Sequence, residues 1–153
     1  MNSLSETRIF EILMVEDNLG DVLLMTEAFQ ESRLPAHLSV VGDGEEALDF
    51  LGQRGKYHQA PKPDFILLDL NLPRMDGRAF LRRVRREGPY PEMPVVVLTT
   101  SRLRSDMREV WDLSVNAYIV KPADLAGFQQ TIRSLQDFWK TTIQFAVRPE
   151  DIP

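Results

Sequence analysis

Cysteine is missing from the 153 residues of the chain, which excludes disulfides, cysteine nucleophiles and thiolate metal sites. Long hydrophobic runs are missing too, since the longest apolar stretches fall far below the roughly 20 residues needed to cross a bilayer. The first residues, MNSLSETRIF, contain no apolar segment typical of a signal peptide. Together these absences predict a cytoplasmic protein with no membrane partner.

Basic residues are fewer than acidic residues in the chain. The chain has 18 Lys and Arg residues against 23 Asp and Glu residues, a formal net charge of −5. Nucleic acids attract basic surfaces, so this balance argues against a nucleic-acid partner. One basic stretch, RAFLRRVRRE at residues 78–87, is expected to form a helix whose apolar positions face the core and whose charged positions face water.

What the chain does contain is a regular alternation of short β-rich apolar runs and amphipathic stretches. The predicted strands are EILMV (11–15), HLSVV (37–41), FILL (65–68), VVVL (95–98) and AYIV (117–120). The predicted helices begin near Leu19, Gly44, Gly77, Leu103 and Leu125. This (βα)5 order, with strands that are apolar almost throughout, predicts an α/β fold with a parallel sheet covered by helices on both faces.

The size of the chain fits one domain around one core, with 43% hydrophobic and 27% charged residues. We expect that domain to span residues 9–146, with an N-terminal extension at residues 1–8 and a C-terminal tail at residues 147–153. The loop GQRGKYHQAPKP at residues 52–63 is long and polar for its place before a strand, so we expect it on the surface.

Charged and polar residues stand at the ends of four predicted strands. Glu16 and Asp17 follow strand 1, Asp69 follows strand 3, Thr99 follows strand 4, and Lys121 follows strand 5. In an open parallel sheet with the common order 2-1-3-4-5, strands 1 and 3 are neighbours, and ligands bind beyond their carboxyl ends. The three carboxylates are therefore expected to converge.

Three neighbouring carboxylates need a cation, because like charges raise one another's pKa and destabilise the fold. Oxygen ligands without His or Cys fit Mg²⁺, which usually takes one or two carboxylates together with phosphate oxygens. An ammonium at Lys121 and a hydroxyl at Thr99 suit phosphoryl oxygens, and Asp69 is a candidate nucleophile. The alternative is that these are ordinary turn and cap residues, which each of them would be if taken alone.

The stretches ILMVEDN, FILLDLNLPRMDG, VVVLTTS and AYIVKP resemble, in this order, the motifs of the receiver domain of two-component response regulators. The resemblance covers about residues 12–144 and implies a flavodoxin-like, doubly wound, five-stranded sheet in the order 2-1-3-4-5. It also implies that Asp69 accepts a phosphoryl group from the phosphohistidine of a sensor histidine kinase. Asp17, Asp69 and the backbone carbonyl of Asn71 would ligate Mg²⁺, with Glu16 acting through water.

The same resemblance implies a switch. Lys121 would pair with the phosphoryl group, with a cis peptide bond before Pro122 holding its loop. Thr99 would move towards a phosphate oxygen while Tyr118 turns inward, and the surface formed by helix 4, strand 5 and helix 5 would change. The positions that tune dephosphorylation are Asn71, Thr100 and Ser101. The protein would then be a phosphoacceptor with slow autodephosphorylation rather than an enzyme.

Three further features are similar to regulators paired with bacterial phytochromes. They are the long loop before strand 3, the LTTS element and a last helix that runs into DFWK. No output domain follows in the sequence. We therefore expect a single-domain regulator in phytochrome-linked light signalling, with a bacteriophytochrome as its kinase.

The last helix is predicted to be long. From Leu125 to about Phe145 it would span roughly 30 Å, whereas a five-residue strand covers only about 17 Å. Its apolar stripe consists of Phe128, Ile132, Leu135, Trp139 and Ile143. A stripe that overhangs the sheet suggests a partner helix, so we predict a homodimer through helix 5, with strand 5 as a further contact. The alternative is a tail that folds back on its own domain.

Two other functions compete with the receiver. A haloacid-dehalogenase-type aspartyl-phosphate hydrolase also has a nucleophilic Asp after a strand, but its general acid two positions later is here Asn71, which carries no transferable proton. A pseudo-receiver that acts only as a scaffold without phosphorylation is disfavoured because the site residues are all present. Those residues are Asp17, Asp69, Thr99 and Lys121.

Overall fold

The structure is a computed structural model that describes residues 9–138. Its strands are β1 (Phe10–Val15), β2 (Ala36–Val41), β3 (Phe65–Leu68), β4 (Val95–Thr99) and β5 (Ala117–Val120). Its helices are α1 (Leu19–Glu31), α2 (Gly44–Leu51), α3 (Gly77–Glu87), α4 (Arg104–Asp112) and α5 (Leu125–Phe138). Strands and helices alternate, as predicted.

The strands form one parallel sheet in the order β2-β1-β3-β4-β5. The predicted fold class and strand order are therefore confirmed. Val15 at the end of β1 is paired with Leu68 at the end of β3, and Leu68 with Val97 of β4. This register brings the carboxyl ends of the central strands to one edge of the sheet, where the chain continues into loops.

Alternate side chains of each strand enter two separate cores. Leu13 and Val15 of β1 pack under helices α2, α3 and α4, whereas Ile12 and Met14 pack under α1 and α5. The central strands β3 and β4 are buried at every position. Crossover helices on both faces explain why these strands are continuous runs of apolar residues.

Side-chain caps fix the helix starts at the same edge of the sheet. Asn18, Asp43 and Asp76 precede α1, α2 and α3, and each accepts a hydrogen bond from the backbone N–H three residues further on, at 2.8–3.0 Å. Capping satisfies donors that have no partner inside the helix. The caps therefore hold three helix N-termini close to the carboxyl ends of the strands.

The apolar stripe of α5 faces the protein's own core. Phe128, Ile132 and Leu135 are at most 1% exposed and pack with residues of α1, β1, β3 and β4. Helix α5 lies against α1 as well as against the sheet. Its apolar stripe is therefore covered over a greater length than the strands alone would cover. The assignment of these three residues to a dimer surface is corrected; Trp139 and Ile143 lie outside the described residues.

The loop at residues 52–63 is largely exposed, as expected, but it is fixed to the domain. A short 3-10 turn at Gly55–Tyr57 places the Tyr57 ring 5.3 Å from the Phe50 ring, and the Tyr57 hydroxyl donates to Glu46. Among the helices between residues 9 and 138, none combines the length and the apolar character that crossing a membrane requires.

Candidate functional site

Two carboxylates are built into the carboxyl edge of the sheet by backbone hydrogen bonds that continue its ladders. The N–H of Asp69 donates to the carbonyl of Val15 at 3.1 Å, and the N–H of Glu16 donates to the carbonyl of Val41 at 2.9 Å. Asp69 is 6% exposed and Glu16 3% exposed. Their positions are therefore set by strand pairing rather than by flexible loops.

The predicted acidic residues come together. Glu16, Asp17 and Asp69 each offer a carboxylate oxygen, and these oxygens lie within 4.8 Å of one another. Asp17 is exposed whereas the other two are buried, so the cluster opens to solvent on one side. A ligand can reach it from there.

Lys121 reaches into the same cluster from the end of β5. Its Nζ lies 2.5 Å from Glu16 Oε1, 2.8 Å from Asp21 Oδ2 and 2.9 Å from Asp69 Oδ2. Burial alone would lower the pKa of Lys121, but the three carboxylate contacts outweigh it and raise the pKa above its ordinary value. The ammonium therefore stays charged next to Asp69.

Asp21 is a further site residue, which was not predicted from the sequence. It lies in the first turn of α1, where its backbone N–H donates to the Asn18 cap and its carboxylate accepts from Lys121. An acidic residue in the first turn after β1 was the available signal. That the Asp21 carboxylate contacts Lys121, 100 positions away, could not be predicted from a local pattern.

The cluster has more negative than positive charge. Burial raises the pKa of Glu16 to about 7, and the charge of Asp69 adds to the rise, while hydrogen bonds from Lys121 and from the Asn18 N–H oppose it. Four carboxylates face one ammonium here: Glu16, Asp17, Asp21 and Asp69. Oxygen donors without His or Cys suit a hard divalent cation such as Mg²⁺, so the donor set fits the predicted ion.

Asn71 lies beside Asp69. Its backbone N–H donates to Asp69 Oδ1 at 3.2 Å, which folds the chain back towards the carboxylate directly after β3. Gly77 closes the same region, because a Cβ there would lie 2.2 Å from the carbonyl oxygen of Asp69. Only glycine allows the start of α3 to approach the Asp69 backbone this closely.

Thr99, Ser101 and Tyr118 form a second set of contacts beside the acidic cluster. Thr99 is fully buried, and its Oγ1 accepts from the Ser101 N–H at 3.4 Å. The Ser101 hydroxyl donates to Asp106 Oδ2 at 2.6 Å. The half-buried Tyr118 donates its hydroxyl to the Ser101 carbonyl at 2.8 Å. Ser101 thus connects the two predicted switch residues, while Thr100 is exposed.

The loop after β5 is tightly packed. The Lys121 N–H donates to the Thr99 carbonyl at 2.8 Å, and a Cβ at Gly127 would lie 2.3 Å from Pro122 Cβ. The peptide bond between Lys121 and Pro122 is trans, so the expectation of a cis bond is corrected.

The fold and the site together define a receiver domain: a five-stranded parallel sheet with an acidic cluster beyond β1 and β3, a buried threonine ending β4 and a lysine following β5. The sequence profile of the response regulator receiver domain matches residues 12–133. The chain belongs to the response regulator receiver family.

Relatives of known structure carry the same fold. The response regulator Rcp1 of a Synechocystis strain is 38% identical over 132 residues, which make up 86% of this chain and 90% of Rcp1. The phosphorylated cyanobacterial phytochrome response regulator RcpA is 41% identical with a TM-score of 0.82, covering 93% of this chain and 99% of RcpA. The Mn²⁺-bound form of Rcp1 is 36% identical with a TM-score of 0.79, covering 92% and 99%.

Proposed function

We propose that this chain accepts a phosphoryl group on Asp69 from the phosphohistidine of a sensor histidine kinase. The observation that carries the proposal is the placement of a buried carboxylate 2.9 Å from a buried ammonium, at the edge of the sheet and beside an exposed acidic residue. An oxygen of Asp69 forms a bond to phosphorus as the bond from phosphorus to the histidine nitrogen breaks, and that nitrogen keeps the electron pair. Lys121 stabilises the charge on the phosphoryl oxygens.

Asp17, Asp69 and the backbone carbonyl of Asn71 would hold Mg²⁺, with Glu16 acting through water. When bound, the ion would supply positive charge to the phosphoryl oxygens and offset the excess of carboxylates. The oxygen-only donor set and the opening at Asp17 support this assignment. The relative Rcp1 has a Mn²⁺-bound form, which supports a divalent ion at the corresponding place in this chain.

Phosphorylation would be read through Thr99 and Tyr118. Both contact Ser101, so a movement of Thr99 towards a phosphoryl oxygen would disturb the contact that Tyr118 makes. The surface of α4, β5 and α5 would then change its partners. Asn71, Thr100 and Ser101 would set the rate of a slow autodephosphorylation, so the chain would act as a signalling phosphoacceptor rather than an enzyme.

The kinase would be a bacteriophytochrome. The similarity to RcpA, a cyanobacterial phytochrome response regulator, supports this partner. We place the chain in the cytoplasm, where such a kinase domain would meet it. A homodimer through α5 stays a prediction, and within residues 125–138 the apolar stripe is used inside the domain.

The test is the intact mass of the chain after incubation with acetyl phosphate, with and without Mg²⁺. One phosphoryl adduct that requires Mg²⁺ is expected on the wild type and on Asp112→Asn, a control at an exposed position of α4. Asp69→Asn should show none, because its amide is a poor nucleophile.

Two results would count against the proposal. An adduct that persists in Asp69→Asn would place the acceptor elsewhere. A wild-type chain that gains no phosphoryl group, from acetyl phosphate or from a phosphorylated histidine kinase, would contradict the phosphoacceptor function as a whole.

A further inference from the structure

The loop between β3 and α3, residues 70–76, carries Asn71 and is anchored at its inner end. The Gly77 N–H donates to the Leu70 carbonyl at 3.0 Å, which closes the base of the loop. Leu70 and Leu72 are 0% and 9% exposed and bind the loop to the core. Asn71 itself is exposed, and its backbone N–H bond to Asp69 Oδ1 at 3.2 Å is long, so the position of its carbonyl depends also on how the rest of the loop is held.

The outer end of this loop meets the corner between β2 and α2. The Gly44 N–H donates to the Met75 carbonyl at 3.0 Å. A Cβ at Gly44 would lie 2.7 Å from that same oxygen, so the two backbones are in direct contact. The start of α2 is therefore a second support for the loop.

An ion pair strengthens the same junction. Arg74 Nε donates to Asp43 Oδ2 at 2.8 Å, and a terminal guanidinium nitrogen donates to the same oxygen. The other oxygen of Asp43 caps α2 through the Glu46 N–H at 2.8 Å. Asp43 is 1% exposed although it is charged, so the carboxylate depends on these donors.

The backbone of Arg74 is also unusual. Its φ angle is +59°, in the left-handed region that residues other than glycine seldom adopt. Such a conformation persists where surrounding contacts enforce it, and such residues concentrate at functional sites. The pair with Asp43 and the hydrogen bond from the Gly44 N–H to the adjacent Met75 carbonyl are contacts that can enforce it here.

We propose that Arg74 is a positioning residue for the metal site: through Asp43 it fixes the loop at residues 70–76, so that the Asn71 carbonyl is held where the divalent ion needs it. The inference rests on the proposed function, in which that carbonyl is a ligand. Mg²⁺ demands near-ideal octahedral geometry, so a small displacement of one ligand weakens binding. Neither Arg74 nor Asp43 touches the ion in this account.

The test compares Mg²⁺ binding by calorimetry in the wild type, Arg74→Asn and Arg74→Lys. Asparagine tolerates the left-handed conformation, so the first variant removes the ion pair without adding backbone strain. It should weaken Mg²⁺ binding by about tenfold, the usual effect of removing a group that orients a ligand. Arg74→Lys retains a cation near Asp43 and should recover part of the affinity.

Arg83→Asn is the matched control. Arg83 pairs with Glu87 on the exposed face of α3 and not with Asp43, so its loss should leave Mg²⁺ affinity unchanged. Asp43→Asn is a second route to the same result, because asparagine is as good a helix cap but carries no charge for Arg74. It should weaken Mg²⁺ binding in the same direction.

A purely structural role is distinguished by reading amide hydrogen exchange in the metal-free chain together with Mg²⁺ affinity, because such a role would speed exchange but leave the affinity unchanged. If Arg74 positions the loop for the ion, Arg74→Asn should show faster exchange at Gly44 and Gly77, whose N–H groups bond to the Met75 and Leu70 carbonyls, together with weaker Mg²⁺ binding. Unchanged Mg²⁺ affinity in both Arg74→Asn and Asp43→Asn would overturn the inference while leaving the proposed function intact. A wild type that binds no Mg²⁺ would contradict the proposed function, and the inference with it.

Discussion

The two sides of the site are held together by different forces. The acidic pocket, formed by Glu16, Asp17, Asp21, Asp69 and Lys121, depends on charge at short distance in a largely buried setting. The Ser101 loop, residues 100–103 between β4 and α4, depends on single hydrogen bonds from Ser101 and Tyr118. The acidic pocket is sensitive to any change in charge, whereas the hydrogen bonds of the Ser101 loop can be exchanged at small cost.

This difference suits a switch. A phosphoryl group adds roughly two negative charges to the residue that carries it, and in the acidic pocket such a change is large. The neutral contacts of the Ser101 loop are each worth about 1 kcal/mol net, and the hydrogen bond to the Asp106 carboxylate about 1.5 kcal/mol. The charge added in the acidic pocket can therefore be sufficient to replace the hydrogen bonds of the Ser101 loop with others.

The largest effect on stability should follow from removing the only cation of the acidic pocket within the described residues. In the metal-free chain, Lys121→Met leaves buried Glu16 and Asp69 without their partner, which should lower the free energy of unfolding by about 3 kcal/mol. Urea unfolding measures the loss. Added Mg²⁺ should restore part of it, since the ion supplies the missing positive charge.

A loss below about 1 kcal/mol would contradict the view that the acidic pocket, unlike the Ser101 loop, depends on charge. The pocket would then depend on charge no more than an exposed ion pair does. Arg83→Met is the matched control, since its pair with Glu87 is exposed on α3.

A smaller effect is expected in the Ser101 loop. Ser101→Ala removes the 2.6 Å hydrogen bond to Asp106 and the 3.3 Å bond from the Leu103 N–H. It should lower the free energy of unfolding by only about 1.5 kcal/mol, because Asp106 keeps its contact with Arg78 at 3.1 Å. Urea unfolding with Ser105→Ala, an exposed position of α4, serves as reference. A loss equal to that of Lys121→Met would erase the distinction between the two regions.

Much of the sheet and of the site could be predicted from the sequence because the sequence shows where each strand ends. Apolar runs such as FILL mark buried parallel strands, and the polar residue that follows each run must then lie at the carboxyl edge. Asp69 and Lys121 were placed in one site for this reason, and the structure brings them within 2.9 Å. Strand bounds differed by only one residue, as at Phe10 and Thr99.

What could not be predicted depends on contacts between distant elements. Asp21 joins Lys121 only because the first turn of α1 faces the end of β5. The stripe of α5 was assigned to a dimer because the prediction compared helix length with strand length and left out the neighbouring α1, against which Ile132 packs. Such neighbours follow from the packing of the whole domain and not from a local pattern.

We expect a change in the acidic pocket to reach the Ser101 loop. Two-dimensional amide NMR spectra of the chain with Mg²⁺, before and after addition of beryllofluoride as a phosphoryl mimic, test it most directly. The amide signals of Thr99, Ser101 and Tyr118 should shift in the wild type, and none of them should shift in Asp69→Asn. Shifts confined to the surroundings of Asp69, with the Ser101 loop unchanged, would contradict it.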